Sequence, residues 1–262
     1  MSSFMNHFWR NKRIVITGAS SGLGMAVTRA LAPYGCQFAL LSRRTEPMIS
    51  LAKELGGGED RFFIASCDVR DYVSVQSSID TFAAKTGGLD VAWVNSGVAG
   101  ETSWHQWDWE RINTTIDVNI RGALHTIHAS LHHMAPAGQG TIVGISSAAS
   151  MRGLPGRTVY SMSKIALNWI MDSLAAEFPT IRFVTIMPGF IDTPINQDNP
   201  NRFWLMQPER AALLMIRAAA RGKSAYIYPF RMKLLYHLIH SLPTPVYRRL
   251  GNRLADFSRP GR

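Results

Sequence analysis

The sequence predicts an α/β fold, a doubly wound parallel sheet of about seven strands with helices on both faces, followed by a C-terminal helical extension. Three observations lead there. Short apolar, β-branched runs alternate with stretches of helical periodicity from Arg13 to Tyr228, the order that builds a parallel sheet from crossover units. Some runs, such as Leu89–Gly97 (LDVAWVNSG), are apolar almost without interruption, as strands covered on both faces must be. The chain has 262 residues, 46% of them hydrophobic, so it can bury a full core; it suits one large domain, 1–229, with 230–262 as its extension.

Arg13–Thr17 (RIVIT) is the first strand, and GASSGLG follows at once before a helix over Met25–Ala32. Gly18, Gly22 and Gly24 are spaced G-x-x-x-G-x-G. Glycines there let the backbone approach a pyrophosphate, and the helix N-terminus offers free N–H groups and a partial positive charge. A tight turn that only packs helix on strand has the same composition. Cys36–Ser42 (CQFALLS) is the second strand, and Arg43 and Arg44 follow it where a dinucleotide fold often carries a carboxylate. With a nucleotide in the glycine turn, arginine at this place accommodates a 2′-phosphate and favours NADP(H) over NAD(H); without one, the pair is a solvated surface.

Arg61–Val69 (RFFIASCDV) reads as the third strand. Asp71 then caps a helix that runs to Lys85 and stops at Gly87-Gly88. After the fourth strand, Leu89–Gly97, a helical pattern extends from about Trp107 to Met134 with Asn119 in its middle. Asparagine is a mediocre helix former, so it either bends the helix to bind water or faces solvent. His125, His128 and His132 share one face of this helix, but no carboxylate or cysteine completes a site, and no metal is expected.

Gly140–Ser147 (GTIVGISS), the fifth strand, delivers Ser147 to the carboxyl end, where open parallel sheets place ligands. Tyr160 and Lys164 follow on a helix that runs to about Phe178; four residues apart, they project from one face. A neighbouring ammonium favours the phenolate and brings a tyrosine pKa down from about 10 toward the working range. Ile181–Gly189 is the sixth strand, Ile195–Met206 an irregular apolar loop, Pro208-Glu209 the start of the next helix, and Ala225–Tyr228 the seventh strand.

Taken in order, TGASSGLG (Thr17–Gly24), Asp68-Val69, VNSG (Val94–Gly97), Asn119, Ser147, YSMSK (Tyr160–Lys164) and PGFIDT (Pro188–Thr193) resemble the short-chain dehydrogenase/reductase family over about Arg13–Tyr228. The resemblance implies a Rossmann-like fold and an NADP-dependent oxidoreductase acting on CH–OH groups. By it, Gly18, Ser20, Ser21, Gly22, Leu23 and Gly24 line the pyrophosphate turn, Arg43 meets the 2′-phosphate, and Asp68 and Val69 contact the adenine. Asn95 and Gly97 lie along the ribose, and Pro188, Gly189, Ile191 and Thr193 hold the nicotinamide side. Ser147, Tyr160, Lys164 and Asn119 form a catalytic tetrad. In it Ser147 and Tyr160 hydrogen-bond the substrate oxygen, Tyr160 exchanges the proton, Lys164 lowers its pKa and binds the nicotinamide ribose, and Asn119 holds a relay water. One departure stands out: Val94 occupies a place where family members commonly carry asparagine, which questions a structural hydrogen bond between central strands rather than the chemistry.

The net charge is +10, and eight of those charges fall at or after Arg221. The basic residues there alternate with leucines, unlike the charged and aromatic mixture of a nucleic-acid binder, so no nucleic acid is expected. Phe230–Leu242 places Phe230, Leu234, Leu235, Leu238, Ile239 and Leu242 on one stripe, with Arg231, Lys233 and His237 largely opposite; Val246–Phe257 forms a second short basic helix. The stripe is expected to pack on the chain's own pocket or on a second subunit. A basic amphipathic helix also suits an anionic membrane surface, so peripheral membrane contact stands as the alternative. Cys36 and Cys67 read as buried thiols in a reducing compartment, and neither a signal-length apolar run at the N-terminus nor a spanning stretch occurs, so a cytoplasmic location is expected. Met151, Leu154, Pro155 and Phe203–Met206 make the substrate region apolar, which fits a small hydrophobic carbonyl or alcohol. The resemblance further implies a homodimer or homotetramer built on the long helices around Asn119 and Lys164. A catalytically silent nucleotide-binding regulator, or a membrane-surface binding protein, is the alternative on the same fold; the complete tetrad favours the enzyme.

Overall fold

A computed structural model of the chain describes residues 3–100, 102, 107–197 and 202–256. Its strands are β1 (Arg13–Thr17), β2 (Gln37–Ser42), β3 (Phe62–Ser66), β4 (Val91–Val94), β5 (Thr141–Ile145), β6 (Arg182–Pro188) and β7 (Ala225–Tyr228). The α-helices are α1 (Ser3–Trp9), α2 (Gly22–Leu31), α3 (Glu46–Glu54), α4 (Tyr72–Thr86), α5 (Trp109–Ile116), α6 (Gly122–Met134), α7 (Thr158–Glu177), α8 (Pro208–Ala220), α9 (Phe230–Ser241) and α10 (Thr244–Asp256). The strands form one sheet in the order β3-β2-β1-β4-β5-β6-β7, every pair parallel. The order reverses at β1, which pairs with β2 on one side and β4 on the other. Connections therefore leave β1 and β4 in opposite directions, and a crevice opens between their carboxyl ends.

Successive strand residues point to opposite faces, and the core divides accordingly. Ile14, Ile16, Phe38 and Leu40 join Val27 and Leu31 of α2 and Met215 and Ile216 of α8. Val15, Ala39 and Leu41 face the other way, onto Ile79 and Phe82 of α4, Ile127 and Leu131 of α6, and Leu167 and Met171 of α7. Both faces are covered, which explains why the strands read as apolar runs rather than as alternating ones.

Several boundaries differ from the sequence reading, each for a physical reason. Helix α2 starts at Gly22, inside the glycine motif, so the turn and the helix N-terminus are one device. Strand β4 ends at Val94 rather than Gly97, because Asn95, Ser96 and Gly97 leave the sheet to floor the crevice. The single long helix expected over 107–134 begins at Trp109 and is interrupted by a π-helical turn, Asp117–Arg121, that carries Asn119. Helix α1 went unforeseen, since seven residues are too few to show a period. Yet Trp9 is fully buried in the core and its Nε1–H donates to the Ile216 carbonyl, 3.3 Å away. Burying such a ring contributes roughly 2–3 kcal/mol.

The tail corrects the single-stripe expectation. Met232 is buried, and Leu235 and Ile239 turn inward with it to line the crevice, whereas Phe230, Leu234 and Leu238 of the expected stripe face outward. Seven apolar residues in twelve make an arc too wide for one face. Phe257 and residues 198–201 of the expected apolar loop lie outside the described residues. No described helix is long and apolar enough to cross a membrane.

Candidate active site

The crevice encloses about 1720 Å³ at the carboxyl ends of the strands. The glycine turn forms one end. Gly18 and Gly22 have φ of +67° and +53°, a backbone region that any side chain strains to enter. A Cβ on Gly18 would come within 3.0 Å of the Ser96 backbone, and one on Gly22 within 3.2 Å of the Thr193 side chain. Ser21, the N-cap of α2, makes no side-chain capping bond, and the first turn of the helix holds no carboxylate. Its leading N–H groups thus face the cleft without a protein anion to satisfy them, the arrangement that receives a phosphate.

Ser20, Ser21, Leu23, Arg43, Asp68, Val69, Asn95, Gly97, Pro188, Gly189, Ile191 and Thr193 all line this cleft, together with Gly18 and Gly22. Gly24 does not. It is buried one turn into α2, where a Cβ would collide with the Gly18 carbonyl oxygen at 2.4 Å, so its smallness serves helix–turn packing. Arg43 and Arg44 are exposed at the cleft beyond β2. The Asp68 carboxylate pairs with Arg70 at 2.7 Å, which holds its pKa below the usual range.

Thr17, which opens the glycine motif but was given no role from it, and Asn95 tie the two strands at the switch point. The Thr17 hydroxyl accepts from the backbone N–H of Asn95 (3.1 Å) and of Ser96 (3.3 Å), and Asn95 Nδ2 donates to the carbonyls of Thr17 (3.0 Å) and Gly18 (3.3 Å). The departure at Val94 therefore costs no link here. Val94 is buried among apolar neighbours, and the strand contact it was expected to weaken is made by these residues instead.

Ser147, Tyr160 and Lys164 meet in the middle of the cleft. Ser147 caps the short helical turn after β5, its Oγ accepting from the Ala149 N–H at 3.1 Å. Helix α7 clamps that turn: Ser146 Oγ donates to the Lys164 carbonyl at 2.9 Å, and Asn168 Nδ2 donates to Ser150 Oγ at 3.0 Å. The Lys164 side chain is buried, and Nζ donates to the Ile145 carbonyl at 3.0 Å while lying 5.7 Å from the centre of the Tyr160 ring. Burial lowers the Lys164 pKa to about 8.

The same burial corrects the expectation for Tyr160. Its pKa is raised above the ordinary value of a phenol, because desolvation outweighs the opposing pull of the Ser147 hydroxyl and of the Arg157 charge. The ammonium four residues on does not offset that burial.

Asn119 is also corrected. It is buried, not solvent-facing, and lies behind the cleft rather than on its lining. Its Oδ1 accepts from the Val98 N–H at 2.8 Å, and Nδ2 donates to the Val98 carbonyl at 2.9 Å and to Ser163 Oγ at 3.0 Å. The side-chain amide is occupied in joining the loop after β4 to α7. The histidine stripe turns toward α4 and the loop before it: His125 Nδ1 bonds the Val69 carbonyl at 2.9 Å, and His128 Nδ1 meets the Tyr72 hydroxyl at 3.0 Å.

The substrate end is apolar, with Met151, Leu154, Phe190 and Phe203 facing Met232, Leu235 and Ile239 of α9. Arg152 fastens this wall. Its Nη1 donates to the carbonyls of Leu242 (2.6 Å) and Ile239 (3.4 Å), Nη2 donates to Thr244 Oγ1 (3.1 Å), and its guanidinium sits 4.4 Å from the centre of the Tyr247 ring. Tyr247 in turn donates to the Gly153 carbonyl, and His240 Nδ1 bonds the Met151 carbonyl at 3.0 Å. In the sequence, Arg152 stands among the apolar Met151, Leu154 and Pro155, and that charge beside apolar neighbours was the signal for this role.

A glycine turn at the switch point of a parallel sheet, with a Ser-Tyr-Lys cluster at the strand ends, defines an oxidoreductase built on a nicotinamide-nucleotide fold. The chain belongs to the short-chain dehydrogenase family, whose model, described as "short chain dehydrogenase", matches residues 12–202. An uncharacterized oxidoreductase of Myxococcus xanthus is 32% identical over 92% of this chain and 96% of its own length. Oxidoreductase UcpA of Salmonella typhimurium is 34% identical over 80% and 82% of the two chains. Among solved structures, an alcohol dehydrogenase from the archaeon Thermococcus sibiricus, complexed with 5-hydroxy-NADP, superposes with a TM-score of 0.75 at 27% identity, over 83% of this chain and 95% of that one.

Proposed function

We propose that this protein is an NADP(H)-dependent carbonyl reductase, working reversibly as an alcohol dehydrogenase on a hydrophobic substrate. The observation that carries this reading is a single cleft in which an uncapped helix N-terminus, a Ser147-Tyr160-Lys164 cluster and an apolar wall follow one another. NADP(H), when bound, supplies or takes up the hydride. The residues present fit it. Gly18 and Gly22 leave the space a Cβ would fill, the first-turn amides of α2 suit the pyrophosphate, and Arg43 and Arg44, which follow β2 directly where a carboxylate would serve NAD(H), suit a 2′-phosphate. The Thermococcus relative was solved with an NADP analogue, which supports the same choice.

Tyr160 is the proton donor, for a phenol whose pKa is raised stays protonated at neutral pH. The Ser147 hydroxyl hydrogen-bonds the same substrate oxygen and stabilises the negative charge that develops there. Lys164, largely charged below about pH 8, stabilises the phenolate left behind. The α9 wall keeps water from the reacting carbonyl and selects apolar substrates. Exposed Met162 and Trp169 on α7 support the homo-oligomer expected for such an enzyme.

The test is oxidation of NADPH by the purified chain against a panel of hydrophobic ketones and aldehydes, wild type beside Tyr160→Phe. Turnover that the substitution abolishes is expected. Tight NADPH binding with no turnover in either protein would instead assign a nucleotide-binding regulator.

A further inference from the structure

Helix α9 has two apolar faces, and only one is used by the fold. At about 100° per residue, Met232, Leu235 and Ile239 cluster toward the cleft, while Phe230, Leu234 and Leu238 occupy the opposite arc. The outer three are 70%, 57% and 61% exposed. Arg231 and Lys233 project on either side of that outer arc and are exposed too. Helix α10 adds Arg248 and Arg249, both exposed. The described part of this helix pair carries one acidic residue, Asp256.

A partner for this surface must cover an apolar strip and meet cations along its edges. A second copy placed face to face would set Arg231 and Lys233 against the same charges, which the like-charge rule disfavours. A bilayer with anionic headgroups satisfies both demands, because the apolar side chains enter the acyl boundary while long basic side chains reach back to the phosphates. Overall charge agrees, with eight of the ten net positive charges at or after Arg221.

We propose that the outer face of α9, with Arg248 and Arg249 of α10, is a docking surface for an anionic lipid membrane. The same helix then has its inner face on the cleft and its outer face on the bilayer, so an apolar substrate dissolved in lipid would meet the enzyme at its entrance. That last step rests on the proposed reductase activity; the docking does not.

Sedimentation of the full chain with vesicles tests it, using phosphatidylcholine alone or mixed in equal parts with phosphatidylglycerol. Binding is expected to the mixed vesicles and not to the neutral ones. It should weaken at least about tenfold between low and high salt, since exposed charges are screened, and by a similar factor in L234S/L238S and in R231Q/K233Q. Unchanged far-ultraviolet circular dichroism and an unchanged melting temperature would certify that these outward-facing variants fold. Equal binding to neutral vesicles, absence of binding, or insensitivity to both double variants overturns the proposal. Concentration-dependent dimerisation that L234S/L238S abolishes, with no vesicle binding, would reassign the face to a second copy. NADPH turnover is read separately, so an inactive chain that still sediments leaves the docking intact.

Discussion

Burial drives Tyr160 and Lys164 in opposite directions, and the chemistry follows. Tyr160 is held protonated and Lys164 is brought to about 8, so at pH 7 the pair is a neutral acid beside a cation. Removing the phenol in Tyr160→Phe should lower kcat by roughly 100- to 10,000-fold, the usual contribution of a positioned acid, with NADPH affinity by fluorescence titration little changed. For Lys164 the expected signature is in pH. If its charge stabilises the phenolate left when Tyr160 gives up its proton, kcat for reduction should decline as pH rises through about 8. A linked effect on stability has a definite sign. Between pH 8 and the unfolded value of 10.5 the unfolded chain binds the extra proton, so the penalty of burying this ammonium is full below pH 8 and fades as pH rises through that window. Replacing the group in Lys164→Met should therefore relieve up to about 3 kcal/mol at pH 7, less the lost bond to the Ile145 carbonyl. Denaturation curves at pH 7 and 9.5 check this; a stability difference between variant and wild type that does not shrink with pH contradicts it. The sequence placed Tyr160 and Lys164 together through a four-residue spacing, but the sign of the tyrosine shift depended on solvent exclusion by distant elements, which no local spacing reveals.

At the scale of elements, the work lies in joints. The π-helical turn puts Asn119 where its amide can clasp both backbone groups of Val98 and reach Ser163 on α7. Asn119→Ala would leave the Val98 N–H and carbonyl without that partner, at a cost of about 2–4 kcal/mol in unfolding free energy. Part of any activity loss would then trace to the loop that carries Gly97, where a Cβ would lie within 3.4 Å of both Lys164 Nζ and Asn119 Oδ1. Arg152 is a second joint, binding the helix pair α9 and α10 to the turn that follows Ser147. In Arg152→Ala, amide hydrogen exchange over 230–252 should quicken by tenfold or more while α2 and α4 remain protected, because the tail is held by few other polar contacts. Uniform loosening of all helices would show that Arg152 supports the whole fold instead. Strands and long helices were legible because their periods repeat and their caps, such as Asp71 on α4 and Gly87 after it, have fixed chemistry. The π turn, the seven-residue α1 and the inward turn of Met232 were not, since each depends on contacts with other elements, such as Val98 and Ser163 for the π turn, or on a run too short to show a period.

Over the whole molecule, one topological fact organises the rest: reversal of strand order at β1 opens the crevice, and the chain returns to it after every strand from β1 to β6. That is why residues scattered from Gly18 to Thr193 could be assigned to one site from their order alone, and why the tail, which follows no repeating pattern, could not be placed until its inner face was seen. The nucleotide end separates two kinds of residue by what their loss should do. At Gly22 the backbone itself is the fit, because φ is +53° and a Cβ would crowd Thr193, so Gly22→Val should abolish binding of NADPH and NADH alike. At Arg43 only the charge is at stake, on an exposed side chain free to leave the fold unchanged. Arg43→Ala should raise the KM for NADPH roughly 10- to 100-fold, the worth of a hydrogen bond to a charged group, and leave the KM for NADH where it was. Steady-state kinetics with both coenzymes decide the matter. A parallel rise for both would mean that Arg43 touches the part they share, and an unchanged ratio would remove the reason for assigning NADP(H) to this chain.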